Sequence, residues 1–254
     1  MGNQINTNVM SKVVYKTLIF LICIFLSILS LFPFVVMIVN STRSTYQIQQ
    51  QAVSLFPSTY FLNNLKILLG KSFNPLIGFR NSLLISIGTT ACSLYFSTLT
   101  AYAIVMYEWK LKNAFFSFIM AIMMIPSQIT TIGFVQMVYK IHMTNNFLML
   151  ILPAIAAPSL VFFMRQYMKP AIATQAIFCF VTSWNDLFRP LTILTRQEKY
   201  TLPIMVSLLK GDIYKTEYGC VYLGLTLTAL PLIIVYLLLS KYIVAGVAMG
   251  SVKG

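Results

Sequence analysis

Six long apolar stretches of this sequence contain no Asp, Glu, Lys or Arg, and five of them are long enough to cross a bilayer as helices. A helix needs about 20 apolar residues to span a hydrocarbon core of roughly 30 Å. Composition agrees, because 58% of the 254 residues are hydrophobic and only 9% are charged, whereas a soluble domain carries about 25% charged residues. The sequence predicts an all-α integral membrane protein. The six predicted transmembrane helices cover residues 17–39, 81–107, 113–139, 144–164, 170–188 and 218–240.

The fifth charge-free stretch, residues 170–185, is the shortest of the six. As a helix it reaches only about 24 Å, at about 1.5 Å per residue. The predicted span is therefore extended through Leu187 and Phe188. The first span is too long for the apolar core of a signal peptide and is predicted to be a retained anchor. Residues 1–16 are predicted to form a cytoplasmic N-terminus, and residues 17–254 a single transmembrane domain.

The formal net charge of +13 comes from 18 basic and 5 acidic residues. The basic residues are scattered singly along the predicted loops, without the stripe or aromatic-interleaved patch of a nucleic-acid-binding surface. Contact with anionic lipid headgroups explains them, so membrane lipid is a predicted partner and nucleic acid is not. If the N-terminus is cytoplasmic, the inner segments carry 8 basic residues in 40 and the outer segments 10 in 71. This asymmetry predicts cytoplasmic N- and C-termini.

Residue types that carry catalysis or bind metals are few and scattered. The single histidine, His142, lies at a predicted outer helix end, which favours a surface residue over a metal ligand or base. The five acidic residues have no paired-carboxylate or metal-binding spacing, and the sequence has no glycine-rich phosphate loop. The four cysteines lie in or at the edge of apolar stretches, without CxxC spacing. The sequence predicts no enzymatic activity, no cofactor and no metal site.

One charged pair stands out in the string "SWNDLFRPL". Asp186 and Arg189 are three residues apart, a spacing that places two side chains on one helix face. They are either an interfacial ion pair beside Trp184 or the polar lining at the outer end of a pathway, and both alternatives stay open. The apolar stretches contain no charge, which disfavours a channel or an ion-coupled carrier. The candidate pathway residues are Trp184, Asn185 and Asp186.

Prolines and glycines in the spans suggest a bundle that bends. A proline frees a backbone carbonyl and kinks a helix, and small residues permit close helix contact. Gly219 and Gly224 are predicted contact positions at the start of the last span. The prolines expected to bend spans are Pro33, Pro126, Pro153, Pro158 and Pro231.

Several longer strings carry a resemblance to a known family. They are "NSLLISIGTTACSLYFSTLTAYAIVMYEWKLKNAFFSFIMAIMMIPSQ" at 81–128, "LILPAIAAPSLVFFMRQY" at 150–167, "KPAIATQAIFCFVTSWNDLFRPL" at 169–191 and "KYIVAGVAMGSVKG" at 241–254. In this order the chain resembles the permease subunits of bacterial ATP-binding-cassette (ABC) importers for carbohydrates, on the maltose and multiple-sugar pattern. The likeness runs through nearly the whole chain.

The resemblance implies a non-enzymatic subunit of a larger machine in the bacterial cell membrane. Its implied partners are a second homologous permease, two cytoplasmic ATP-binding subunits and an extracellular sugar-binding protein, with a carbohydrate as the substrate. Closure of the ATP-binding subunits would switch the permeases between inward- and outward-facing states by rigid-body rearrangement.

The sequence departs from the family pattern at one place. Between its "RQY" and "KPA" strings the family has a cytoplasmic loop with an acidic-Ala-Ala...Gly signature, the coupling helix that seats in the ATP-binding subunit. Here "RQY" meets "MKPA" directly. Residues 166–169 extend over about 13 Å, more than the 8–10 Å between packed helices, so a hairpin can still close. The predicted fold is therefore a six-helix permease bundle with a truncated loop between helices 4 and 5.

The predicted function is that of an importer permease whose coupling to the ATPase is impaired or altered. Two alternatives remain: coupling through the C-terminal tail alone, or a non-transporting pseudo-subunit or scaffold that occupies the partner permease. The tail resembles the segment that reaches between the ATP-binding subunits. The candidate ATPase contacts are Arg165, Gln166, Lys169, Gly250, Ser251, Val252, Lys253 and Gly254.

Overall fold

The computed structural model describes residues 2–70, 73–166, 168–210 and 216–251, and every regular element among them is helical. The predicted all-α class is confirmed. The α-helices are α1 (Gly2–Ser41), α2 (Thr45–Gln50), α3 (Phe61–Gly70), α4 (Pro75–Met106), α5 (Lys112–Met123), α6 (Ser127–Lys140), α7 (Leu148–Ile151), α8 (Pro158–Gln166), α9 (Met168–Trp184), α10 (Phe188–Ile193), α11 (Leu202–Leu208) and α12 (Tyr218–Ser251), and 3-10 helices cover Leu152–Ile155 and Gln197–Lys199.

Three helices among the described residues are long and apolar enough to cross a membrane: Val14–Ser41 of α1, all of α4, and Tyr218–Ser240 of α12. Two bent pairs pass the same test together, α5 with α6 at 89° and Leu148–Ile155 with α8 at 42°. The number of candidate spans is thus three, or up to five if each bent pair is one span. The remaining predicted span, the fifth, corresponds to α9, whose apolar part, Ile172–Trp184, is shorter than a full crossing.

Proline explains the two breaks. Pro126 lies between α5 and α6, Pro153 lies in the 3-10 helix after α7, and Pro158 begins α8. Proline cannot donate a backbone hydrogen bond and its ring clashes with the preceding turn, so it favours the start of a helix over its interior. Pro33 and Pro231, in contrast, lie inside the continuous helices α1 and α12.

The helix α9 ends at Trp184, before Leu187 and Phe188, which the predicted fifth span includes. The backbone tightens at this point, because the Asp186 N–H donates to the Ser183 carbonyl at 3.3 Å. A separate helix, α10, then begins at Phe188. The segment is therefore two short helices with a polar turn between them.

Contacts divide the chain into two compact units, of which the first comprises residues 1–71 and 215–226. The apolar side chains of α1 from Val14 to Val35 are exposed, as expected for a helix in contact with lipid. Beyond α1, the Arg43 side chain is buried, with 6% of its surface exposed. Its guanidinium donates to the Asn40 side-chain oxygen and to two carbonyls, over 2.8–2.9 Å. The buried charge therefore makes three hydrogen bonds to neutral oxygen atoms.

Asn64 and Gly219 bring α3 and the start of α12 against this turn. The Asn64 side-chain amide donates to the Ser41 and Arg43 carbonyls at 2.9 Å each. A Cβ atom on Gly219 would lie 2.5 Å from the Arg43 carbonyl oxygen and from the Asn64 amide nitrogen. Only glycine fits there, so the predicted close helix contact at Gly219 is confirmed.

The second unit comprises residues 72–214 and 227–254 and is built around α4. This helix packs against α7, α8, α9 and α11. Six of the nine residues that it buries are small, and small residues let neighbouring helix backbones approach closely. The six are Gly78, Ser82, Ser86, Ser93, Ser97 and Ala101. A hydrophobic cluster beside them contains Ile85, Val138, Met149, Leu150, Ile193, Leu194 and Ile204.

Candidate functional site

The joint between α8 and α9 is a single residue long. The helix α8 ends at Gln166 and α9 begins at Met168, and residue 167 lies outside the described residues. Both helices pack against α4 as well as against each other. Val161 and Met164 anchor α8 and are almost completely buried. The two helices therefore form a hairpin that packs against α4.

Arg165 and Gln166 are both exposed at this end of α8. The Arg165 guanidinium carbon lies 3.9 Å from the ring centre of Phe116 on α5, within the range of a cation–π contact. The arginine is therefore held over an aromatic ring while its edge remains accessible. Of the candidate ATPase contacts, the structure places these two on one exposed surface.

The remaining ATPase candidates are only partly described. Gly250 and Ser251 lie in the last turn of α12, but their side-chain surroundings fall outside the described part of the chain, as does the side chain of Lys169. Val252, Lys253 and Gly254 also lie outside it. Their assignment as ATPase contacts stays a prediction.

Trp184, the first pathway candidate, is a buried packing residue with 1% of its surface exposed. Its ring stacks on Phe180 and meets the edge of Phe79 on α4, with 5.7 Å between ring centres in each case. Its indole N–H donates to the Thr228 carbonyl of α12 at 3.1 Å. Trp184 thus ties together three helices of the second unit, and its polar atom already has a partner.

Asn185 and Asp186, the other pathway candidates, make local contacts. The Asn185 side chain is exposed and donates to the Val181 carbonyl one turn earlier, at 3.0 Å. Asp186 Oδ2 accepts from Arg189 Nε at 2.7 Å, and 19% of the aspartate and 39% of the arginine side chain are exposed. The i,i+3 ion pair is confirmed. The charge of Asp186 is balanced within its own turn, and a role in the pathway stays a prediction.

A cavity of about 600 Å³, which the sequence did not reveal, lies at the far end of α6. Two loops line it, residues 142–148 and the turn around the 3-10 helix Gln197–Lys199. The loop begins at His142, which has a left-handed backbone with φ of 55°. His142 is exposed, which confirms its prediction as a surface residue.

Asn145 fastens the two loops of this cavity together. Its side-chain oxygen accepts from the Thr195 and Arg196 N–H groups at 2.7 and 2.9 Å, and its amide donates to the Thr195 hydroxyl at 2.8 Å. Its own N–H donates to the Ile193 carbonyl at 3.1 Å. Its φ of 60° is left-handed, a conformation that asparagine tolerates better than most residues. The pair of asparagines in "HMTNN" is the sequence signal for this turn.

No protein-family model matches this sequence. Individual relatives do match over most of their length. The chain is 30% identical to the arabinooligosaccharides transport system permease protein AraQ of Halalkalibacterium halodurans, with 91% of this chain and 94% of the relative covered. This chain belongs to the family of ABC sugar transport permeases.

A second relative of this permease is the lactose transport system permease protein LacG of Rhizobium radiobacter, at 27% identity over 89% of this chain and 92% of the relative. A solved structure agrees in fold. It is a bacterial ABC transporter involved in the import of the acidic polysaccharide alginate, and one of its chains matches with a TM-score of 0.74 at 19% identity, over 91% of this chain and 97% of that chain. The sugar transport permease is therefore a multi-pass helical membrane protein.

In the alignment with AraQ of H. halodurans, a number of positions of the relative have no counterpart in this permease. The alignment runs over 262 positions and uses 91% of the 254 residues, which is about 231 residues. The difference between 262 and 231 leaves about 31 positions that face no residue of this chain.

Proposed function

We propose that this chain is one of the two membrane-spanning subunits of an ATP-driven, binding-protein-dependent carbohydrate importer, and that its coupling to the ATPase is impaired or altered. Family membership supports the first part, since the relatives are permeases of sugar transport systems. The one-residue joint between α8 and α9 carries the second part. It occupies the place where the family pattern has the coupling helix.

The missing loop is the simplest reason for altered coupling. A motion of the ATPase reaches a permease only through a segment that contacts it, and allosteric coupling requires different contacts in the two states. At the joint, Arg165 and Gln166 offer an exposed surface but no helix that projects from it. The alignment leaves about 31 positions in total without a residue of this chain, the difference between 262 and about 231, and this total is large enough to include such a helix and its flanks.

The proposed arrangement places both chain termini and the α8–α9 joint on the cytoplasmic side. The density of basic residues supports this orientation. The proposed partners are a second permease, ATP-binding subunits and an extracellular sugar-binding protein. The relatives transport different sugars by name, arabinooligosaccharides and lactose, so the substrate is proposed only as a carbohydrate.

The test is to express the full-length chain with the partner permease, ATP-binding subunit and sugar-binding protein of its own organism. We expect it to co-purify with the partner permease but to retain the ATP-binding subunit weakly. Loss of a coupling free energy of about 1–3 kcal/mol corresponds to roughly 5–150-fold, so sugar-stimulated ATP hydrolysis is expected to fall by a factor in this range relative to a repaired chain.

The repaired chain carries a relative's coupling loop inserted between Tyr167 and Met168. The matched control carries a glycine- and serine-rich insert of the same length at the same point, which restores length without the helix. We expect only the first insert to restore recruitment and stimulated hydrolysis. Normal stimulated hydrolysis by the chain without any insert would contradict the proposal of impaired coupling.

The same joint favours one alternative, a pseudo-subunit or scaffold that occupies the partner permease without turnover. Growth on the transported sugar as the carbon source separates the two. A strain in which this gene is deleted grows more slowly if the chain supports transport, and as fast as the parent or faster if the chain only occupies the partner.

A further inference from the structure

The cavity between the loop 142–148 and the turn at Gln197–Lys199 is strongly cationic. Arg196 and Lys199 both line it, together with His142. None of the described residues that line it is acidic. In a chain with only 5 acidic residues, such a cluster has no ready counter-charge of its own.

Arg196 and Lys199 are held on one side of a single turn. The Lys199 N–H donates to the Arg196 carbonyl at 2.9 Å, which closes the 3-10 turn. Arg196 is the extended residue before this turn and Lys199 is its last residue, so the two cationic residues flank one short turn. Glu198, between them in sequence, does not line the cavity. Two neighbouring like charges repel, and an anion placed between them would relieve that repulsion.

The cavity offers further polar groups beside the charges. Within the described part of the chain, the Arg196 guanidinium has no ion-pair partner. The Lys199 ammonium lies 4.9 Å from the ring centre of Phe147, which keeps it over the cavity wall. The Asn145 hydrogen bonds hold the turn against the opposite loop. The backbone that carries Arg196 and Lys199 is therefore held in place before any ligand arrives.

The position of the cavity favours a membrane ligand. Its first loop begins between two consecutive predicted spans, which end at residue 139 and begin at residue 144, so the start of the loop is expected at headgroup depth. Tyr139 is half exposed beside it and donates its hydroxyl to the Thr192 carbonyl at 3.0 Å, an arrangement typical of aromatic residues at the interface. The rim also carries the exposed apolar side chain of Leu148, at 51%, and exposed Ile141, at 49%, directly precedes the lining residue His142. Cationic walls with an apolar rim match a charged headgroup joined to acyl chains.

We propose that this cavity binds the phosphate headgroup of an anionic phospholipid, with Arg196 and Lys199 as the phosphate contacts. The site needs neither sugar nor ATPase, so it stands independently of the transport proposal. A soluble phosphate ester shares the same chemistry, and the apolar rim is the reason for assigning the lipid.

The experiment titrates the purified full-length chain in detergent with short-chain phosphatidylglycerol and counts bound lipid by native mass spectrometry. Phosphatidylcholine, which has no net charge, and glycerol phosphate, which has no acyl chains, are titrated in parallel. We expect phosphatidylglycerol to bind more tightly than either. A basic residue near an anionic lipid surface contributes roughly fivefold in affinity, so the double variant R196Q/K199Q is expected to bind it at least about tenfold more weakly.

The matched control is K16Q/K110Q, which removes two positive charges from exposed residues that do not line the cavity. It is expected to bind phosphatidylglycerol like the unchanged chain. The charge-preserving variant R196K/K199R, expected to retain most of the binding, guards against a folding defect in the glutamine variant. Equal binding by R196Q/K199Q and the unchanged chain, or equal binding of phosphatidylcholine, would overturn the site. Glycerol phosphate binding as tightly as the lipid would overturn the lipid assignment.

Discussion

Among the glycines for which the structure gives neighbours, Gly219 has the least room for a side chain. Its α carbon faces the Arg43 carbonyl and the Asn64 amide so closely that an added methyl group would lie 2.5 Å from each. One of the two neighbours is backbone and cannot rotate away. Gly219→Ala is therefore expected to lower the free energy of unfolding by about 1–3 kcal/mol, the usual cost of overpacking. Thermal unfolding in detergent measures the loss.

Gly133 provides the matched control in α6, because a Cβ atom there would meet nothing within 4 Å. Alanine is favoured over glycine in a helix by about 0.5–1 kcal/mol, so Gly133→Ala is expected to leave stability unchanged or raise it slightly. Equal destabilisation by the two substitutions would contradict the assigned contact at Gly219.

Asn145 makes two separable contributions, its side-chain hydrogen bonds and its left-handed backbone. Asn145→Gly removes three side-chain bonds but keeps the backbone freedom, and is expected to cost about 1.5–4.5 kcal/mol at roughly 0.5–1.5 kcal/mol per bond. Asn145→Ala is expected to cost about 1–2 kcal/mol more, because a φ of 60° strains alanine. Thermal unfolding of the two variants side by side measures both terms.

The control for Asn145 is Asn185→Ala. Asn185 is exposed, and its side chain bonds only the Val181 carbonyl, one turn earlier in the chain. Surface changes of this kind usually stay within about 0.5 kcal/mol. If Asn145→Ala is no worse than Asn185→Ala, the asparagine does not fasten the two loops.

At the residue scale, contacts between residues close in sequence could be predicted from their spacing, whereas contacts between residues far apart in sequence could not. The ion pair of Asp186 and Arg189 follows from three residues of sequence separation. The burial of Trp184 against Phe79 and Thr228 depends on residues more than 40 positions away. No local pattern encodes such contacts, so Trp184 could be proposed for a pathway from sequence while the structure packs it between helices.

At the scale of elements, α4 organises the second unit through its small buried face. Ser93 lies on this face with 4% of its surface exposed and hydrogen-bonds Cys179 of α9. Ser93→Leu is expected to push α9 away and destabilise the protein by about 1–3 kcal/mol. Ala91→Leu, two residues earlier on the exposed side of the same helix, is expected to change stability by less than about 0.5 kcal/mol. Thermal unfolding of both variants tests the assigned face, and a reversed order would contradict it.

The long helices were the predictable elements. Charge-free stretches of 23 to 27 residues gave the positions of α1, α4 and α12 because lipid demands internally bonded, apolar helices. The proline positions indicated breaks but not their size, since the 89° between α5 and α6 is set by packing beyond the break. The end of α9 at Trp184 was missed, because hydropathy continues through Leu187 and Phe188 while the helix does not.

At the scale of the whole molecule, the short joint leaves the C-terminal segment as the other candidate route to the ATPase. If any coupling runs through it, deletion of Gly250–Gly254 is expected to reduce sugar uptake to the level of cells without this chain. Deletion of Asn3–Thr7 removes the same number of residues from the other terminus and is expected to leave uptake unchanged. Uptake that survives the C-terminal deletion would exclude the tail route.

The joint also limits the movements that the bundle can make. With one residue between Gln166 and Met168, two Cα-to-Cα steps of about 3.8 Å hold those helix ends within about 7.6 Å of each other. The angle between the two helices can therefore change at the joint, but their ends there cannot separate further. Any switch between inward- and outward-facing forms must carry α8 and α9 together here or unwind a turn.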